Sequence, residues 1–154
     1  MALLSFASVR NKKASQWTAG ASAAVEDYLE RILELINSKG YARVIDIAAA
    51  LKISQASVTN MIQRLDADGL LKYEKYRGLI LTASGKKLAQ RIAQRHRLLT
   101  EFFKLLGVED RVIDQDVEGM EHHVSPSTLR AIAALTQQLR RRPTLRAQLQ
   151  AAAV

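Results

Sequence analysis

Residues 41–71 read YARVIDIAAALKISQASVTNMIQRLDADGLL, and two apolar patterns of helical period lie in them with a break between. Val44, Ile47, Ala48 and Leu51 recur at threes and fours, as do Val58, Met61, Ile62 and Leu65, which predicts two short helices. Lys52-Ile53-Ser54 makes the turn, with small Ala48 and Ala49 where the helices must cross and apolar Ile53 at the corner; the whole reads as helix-turn-helix. Ser54 is placed to cap the second helix, because its hydroxyl accepts from the first free backbone amides. The outward face of that helix then offers Gln55, Ser57, Thr59, Asn60, Gln63 and Arg64. Amides read adenine edges, arginine reads guanine, and hydroxyls hold phosphates, so these residues and Ser54 form the expected DNA-binding set. The plainer alternative is a helical hairpin with a solvated polar face.

Working outward, residues 70–82 hold two short β-prone runs broken at Arg77-Gly78, a hairpin attached to the helix-turn-helix as a wing. Lys72, Lys75 and Arg77 on it could reach backbone phosphates or an adjacent minor groove. The run from Gly78 to Gly85-Lys86-Lys87 faintly suggests a phosphate-binding loop. Six residues separate its glycines rather than four and no Ser or Thr follows Lys86, so nucleotide binding is rejected. Upstream, Val25, Tyr28, Leu29, Ile32, Leu35 and Ile36 predict a helix from about Ser22 to Lys39, stopped by Gly40. Residues 1–20 show no sustained period and are expected to be a flexible extension.

Twenty-three Lys and Arg against fifteen Asp and Glu leave a net charge of +8 on 154 residues, which favours a polyanionic partner. The chain has no cysteine, so disulfides and thiolate metal sites are excluded. No apolar run approaches the length that spans a bilayer, and no signal peptide order is present, so the expected location is cytoplasmic with no membrane partner.

Downstream, Leu88, Ile92, Leu99, Phe102, Phe103 and Leu106 predict a long helix from Ala83, capped by Thr82 or Ser84, with Lys86, Lys87, Arg91, Arg95 and Arg97 making its surface basic. A second helix is expected from about Glu109 to His123, and a third after Ser125-Pro126, a serine cap with proline at the first helical position. Residues 143–154 read as a short terminal helix or a frayed tail. The second helix ends in Asp116-Val117-Glu118-Gly119-Met120-Glu121-His122-His123, where Glu118, Glu121 and His122 share a face at i, i+3 and i+4. Like charges at that spacing repel, so the cluster is either solvated or given a cation. The same ligand types recur in His96 and in the acidic pair Asp27 and Glu30, and Asp27, Glu30, His96, Glu118, Glu121 and His122 are the candidate metal ligands. Taken singly, Asp27 and Glu30 suit a helix start and His96 an ordinary half-buried position. Hard carboxylate oxygens with one or two imidazoles suit Mn²⁺ or Fe²⁺ better than soft ions.

The run Gly40 to Val44, the helix-turn-helix, the wing Tyr73 to Leu79, the helix Thr82 to His96 and the stretch Asp116 to His123 together closely resemble the manganese transport regulators, the manganese-responsive branch of the diphtheria toxin repressor (iron-dependent repressor) family. The resemblance covers Asp27 to about Leu139. It implies a homodimeric winged-helix repressor that binds double-stranded operator DNA when loaded with Mn²⁺ and represses manganese uptake genes. By the family's pattern Asp27, Glu118, Glu121 and His122 would hold one ion, and Glu30, His96 and again Glu121 a second, giving two ions per subunit; Fe²⁺, Co²⁺ or Zn²⁺ would bind too. Iron-responsive members carry Met at the position of Asp27 and Cys at that of Glu118, both carboxylates here. A third, barrel-like domain of larger relatives is not expected.

The expected fold is mainly α: a flexible extension (1–20), a winged helix-turn-helix DNA-binding domain (21–82), an all-helical dimerisation and metal-sensing domain (83–142) and a tail (143–154). Metal would couple the two modules and fix the spacing of the reading heads near one helical repeat, a coupling on the order of 1 to 3 kcal/mol. Alternatives are an iron-responsive repressor of the same family, a metal-independent winged-helix activator, and a two-metal carboxylate and histidine hydrolase. The hydrolase lacks a His-Glu-x-x-His pair or a nucleophile motif, so neither an enzyme nor a small-molecule substrate is expected.

Overall fold

The structure, a computed structural model, describes residues 22–74 and 76–152. The anticipated extension over 1–20, the wing residue Lys75 and the last two residues of the tail lie outside the described residues. In chain order the elements are α1 (Ala23–Lys39), α2 (Val44–Leu51), α3 (Gln55–Ala67), β1 (Leu71–Glu74), β2 (Gly78–Leu81), α4 (Ala83–Leu106), α5 (Asp110–Met120), α6 (Pro126–Arg141) and α7 (Pro143–Ala152). The fold is thus mainly helical with a two-stranded hairpin, as the periodicities predict. The chain divides into two compact units, Met1–Ile92 and Ala93–Val154.

In the first unit, α1 buries Val25, Tyr28, Leu29, Ile32 and Leu35, the predicted stripe, and ends where Gly40 takes φ 80° and returns its N–H to Ile36 O (2.9 Å). α2 stops at Lys52, whose φ of 55° turns the chain left-handedly, and the Ile53 N–H donates to Ala48 O (3.1 Å). That turn sets α3 against α2 with Ile47, Val58, Ile62 and Leu65 buried. Ser54 caps α3 as anticipated: the Ser57 N–H donates to Ser54 Oγ (3.2 Å). Beyond Gly69 the chain enters the hairpin, which is antiparallel with Leu71 opposite Leu81 and Glu74 opposite Gly78. Leu71 and Leu79 are its buried residues, while Tyr73, opposite Leu79, is exposed. Thr82, not Ser84, caps α4, since the Gly85 N–H donates to Thr82 Oγ1 (3.1 Å) while that hydroxyl donates to Gly69 O (2.7 Å).

The second unit packs around Leu99, Ile113 and Val117, with Phe103, Val108, Met120, Val124, Leu129 and Ile132 against them. α6 starts as predicted, with Ser125 Oγ accepting from the Thr128 N–H (3.2 Å) and Pro126 in its first turn. Thr136 and Leu139 are buried on α6, and Arg140 binds both carboxylate oxygens of Glu101. The terminal segment is a helix, and its Gln150 Nε2 donates to Leu105 O (3.1 Å).

Two expectations need correction. α5 ends at Met120 rather than running to His123: the His123 N–H donates to Met120 O (2.9 Å), a tightened turn that closes the helix just after Gly119. Glu121 keeps helical dihedrals (φ −61°, ψ −31°), so it still follows the spiral, but His122 lies beyond the helix end. Arg95, placed on the exposed basic surface by its sequence neighbours, is half-buried.

A close approach makes one glycine irreplaceable. A Cβ at Gly85 would lie 1.8 Å from Leu70 O, a backbone atom already accepting from the Thr82 N–H. Gly85→Ala is therefore expected to cost roughly 1–3 kcal/mol or more in urea unfolding, as overpacking does. Gly119→Ala, with nothing within 4 Å of its Cβ, should gain a few tenths to about 1 kcal/mol from helix propensity. Equal behaviour of the two variants would contradict the packing described.

Candidate metal centre and DNA-reading face

His96 on α4 and Glu121 at the end of α5 come together through the core beneath them. Leu99 lies one turn beyond His96 and Val117 one turn before Glu121, and both belong to the buried cluster. His96 Nδ1 lies 3.1 Å from Glu121 Oε2. Glu121 is only 1 % exposed, and its other oxygen, Oε1, has no hydrogen-bond partner. His122 Nε2 stands 3.9 Å from that oxygen, too far for a hydrogen bond, and His122 Nδ1 lies 3.5 Å from Arg95 Nη2. A buried carboxylate satisfied on one side only is costly, by about 1–3 kcal/mol or more for a charged group. A plain structural His–Glu pair would have no need of the second oxygen. Carboxylate oxygen and imidazole nitrogens converging there make a donor set that a divalent cation fits, and a cation on Oε1 would satisfy it.

The other predicted ligands sit as follows. Asp27 and Glu30 are half-buried on α1, about one turn apart. Glu118 is exposed on α5, one turn before Glu121. Arg95 beside His122 is the neighbour that sequence reasoning missed, because its place in a basic run gave no sign of burial.

The DNA-reading face is laid out on α3. Val58, Ile62 and Leu65 face inward, and Gln55, Ser57, Thr59, Asn60, Gln63 and Arg64 are all exposed. Some hydroxyls are already engaged: Ser54 Oγ lies 2.9 Å from Ser57 Oγ, and Thr59 Oγ1 donates to Gln55 O (2.9 Å). On the wing Lys72 and Arg77 are exposed, with Arg77 Nη1 3.9 Å from Glu74 Oε2.

Residues 21–79 match the iron dependent repressor N-terminal DNA binding domain, and residues 82–148 match the iron dependent repressor metal binding and dimerisation domain. The chain belongs to the iron dependent repressor family. It is 50 % identical over 128 residues to the HTH-type transcriptional regulator MntR of Lysinibacillus sphaericus (strain C3-41), covering 83 % of this chain and 92 % of that one. Among solved structures it is similar to ScaR with bound Zn²⁺ (32 % identity, TM-score 0.65) and to the manganese regulator SloR (28 % identity, TM-score 0.65). Each similarity covers 73 % of this chain and 53 % of the other, so the chain spans about half the length of those solved chains. The protein is a DNA-binding transcriptional regulator of a metal-dependent family, not an enzyme. No described helix is long and apolar enough to cross a membrane.

The engaged hydroxyl of Ser54 generates a test. Ser54→Ala should lower stability by about 1 kcal/mol, and Ser54→Gly by only a few tenths, in chemical unfolding. An unchanged midpoint for Ser54→Ala would show that the cap contributes nothing.

Proposed function

We propose that the protein is a manganese-responsive repressor which, as a metal-loaded homodimer in the cytoplasm, binds double-stranded operator DNA and controls manganese uptake genes. The observation that carries this reading is Glu121, buried, bonded to His96 through one oxygen and unsatisfied at the other. The similarity to SloR, named a manganese regulator, supports the choice of metal. In this reading Glu30, His96 and Glu121 hold one ion, and Asp27, Glu118, Glu121 and His122 hold a second, with Glu121 shared. Residues 21–82 read DNA, 83–142 sense metal and pair the subunits, and 143–154 form the tail. With no thiolate in the chain, an oxygen-rich set favours Mn²⁺ or Fe²⁺; Co²⁺ and Zn²⁺ also fit nitrogen and oxygen donors.

When bound, the divalent cation supplies positive charge among carboxylates that otherwise repel. The residues do the rest. His96 Nδ1, 3.1 Å from Glu121 Oε2, holds that carboxylate in place, and the acids of α1, in the same unit as the reading helix, bring the DNA-binding module under the influence of the metal. Each ligand must be deprotonated, so response to Mn²⁺ weakens as pH falls. The coupling is a population shift: metal favours those arrangements of the modules in which two α3 helices match a two-fold operator.

Thermal unfolding and calorimetry with Mn²⁺, Fe²⁺ and Zn²⁺, each followed by DNA binding, test the proposal. Mn²⁺ should raise the melting temperature and tighten binding to a duplex selected by the metal-loaded protein, and chelation should reverse both. Glu121→Ala should lose the metal response. It should cost less stability than a typical core truncation in the metal-free protein, because it also removes a half-satisfied buried charge. DNA affinity indifferent to Mn²⁺, or a wild-type metal response in Glu121→Ala, would end this reading. A response to Fe²⁺ but not to Mn²⁺ would favour the iron-responsive alternative.

A further inference from the structure

The surface around the start of α2 and the turn end of the wing is not used by the reading helix. Among the described residues, large aromatics are exposed there together: Tyr73 is 66 % and Tyr76 92 % exposed, and Tyr41 lies at the edge. Arg43 sits between them, exposed, with its guanidinium carbon 4.6 Å from the centre of the Tyr41 ring. Two grooves of about 400 and 420 Å³ flank it, and Arg43, Tyr76 and Leu79 line both. The second groove also reaches Gln55, the first residue of α3.

Backbone fixes this arrangement. The Leu79 N–H donates to Ala42 O (3.1 Å), an isolated bridge that ties the residue before Arg43 to the wing. Gly78 permits it: φ is 79°, and a Cβ there would lie 2.7 Å from the same oxygen. The nearby acids are partly occupied, Asp46 by Lys39 Nζ at 2.9 Å and Glu74 by Arg77 at 3.9 Å. Arg43 forms no ion pair among the described residues and holds only the Tyr41 ring. An exposed guanidinium, stacked and therefore limited in its conformations, beside phenol rings and adjoining the reading helix, presents a flat positive surface to one strand of a polyanion.

We infer that Arg43, stacked on Tyr41 and flanked by Tyr73 and Tyr76, is a phosphate clamp that grips the DNA backbone beside the bases read by α3. This rests on the DNA-binding reading above and adds to it a contact of a different kind. The clamp is indifferent to base sequence and sets the register in which α3 meets its bases. Tyr41 acts as a positioning residue by restricting the guanidinium.

The test uses the full-length, Mn²⁺-loaded protein, two duplexes, and fluorescence anisotropy over a range of salt. One duplex is enriched from a random pool by the wild-type protein; the other is of mixed sequence. Arg43→Ala should weaken binding to both by a similar factor, roughly three- to tenfold, and should lower the slope of log affinity against log salt by about 1. Arg43→Lys should recover the slope but not all the affinity, and Tyr41→Ala should reduce affinity while leaving the slope. Asn60→Ala on α3 should instead shrink the ratio between the duplexes. Melting temperature and Mn²⁺ binding should be unchanged in the Arg43 variants. A wild-type salt slope in Arg43→Ala, or a loss confined to the enriched duplex, overturns the clamp while leaving the regulator intact. Failure of the wild-type protein to bind either duplex overturns both. Arg43-dependent sedimentation with vesicles of phosphatidylserine and phosphatidylcholine, with unaltered DNA binding, would assign the surface to a membrane instead and also overturn the clamp.

Discussion

A carboxylate withdrawn from water needs donors or a positive charge for both of its oxygens, and Glu121 is given them for one. Leu99 and Val117 lie in one buried cluster, and each stands about one turn from a polar partner, Leu99 from His96 and Val117 from Glu121. The apolar contact between α4 and α5 therefore also sets the distance between imidazole and carboxylate. Rotating Glu121 out to solvent would disturb α5 at a point where its backbone still bonds to Val117 O (2.9 Å). The cost of the half-satisfied charge is borne by the hydrophobic packing beneath it, at roughly 1.5–3 kcal/mol for each fully buried Leu, Ile or Val side chain.

The reading helix shows the opposite division. Val58, Ile62 and Leu65 anchor α3, while its exposed polar side chains face solvent; Ser54 caps the helix and the Thr59 hydroxyl donates to Gln55 O. Surface pairs such as Lys39 with Asp46, Lys104 with Asp110 and Arg140 with Glu101 contribute little stability individually. Their effect on the long-range field is clearer. They use acids locally, and the uncompensated remainder of the +8 charge draws a polyanion toward the protein.

The helix-turn-helix was legible because each local signal agreed with the next. Apolar spacing marked α2 and α3, Ser54 supplied a real cap, and the break at Lys52 coincides with a left-handed residue. The wing was legible from β-prone runs around Arg77-Gly78. The candidate ligands were legible as residue types, but their burial was not. Nothing in the order Met120-Glu121-His122 reveals that Glu121 is enclosed and His122 lies past the helix end, because both depend on where α5 closes against α4. Arg95 was misplaced for the same reason: a basic run reads as surface, and only tertiary packing turned one of its members inward. Arg43 escaped notice because its importance lies in the Ala42–Leu79 bridge, a pairing between positions far apart in the chain.

Donor chemistry explains why filling the centre cannot by itself tell one metal from another. At a site of oxygens and imidazole nitrogens, affinity for divalent ions rises from Mn²⁺ through Fe²⁺ and Co²⁺, and Zn²⁺ also binds more tightly than Mn²⁺. A sensor built from such donors must discriminate after binding, through the shape the filled site imposes on the helices that carry its ligands. A buried Glu121, held by His96 and backed by packed side chains, has little freedom to adapt to an ion of different size or coordination number. In the proposed function, rigidity at this carboxylate would provide what affinity cannot, because an ion that binds without bringing the ligand-bearing helices into the right arrangement would leave the reading heads unaligned.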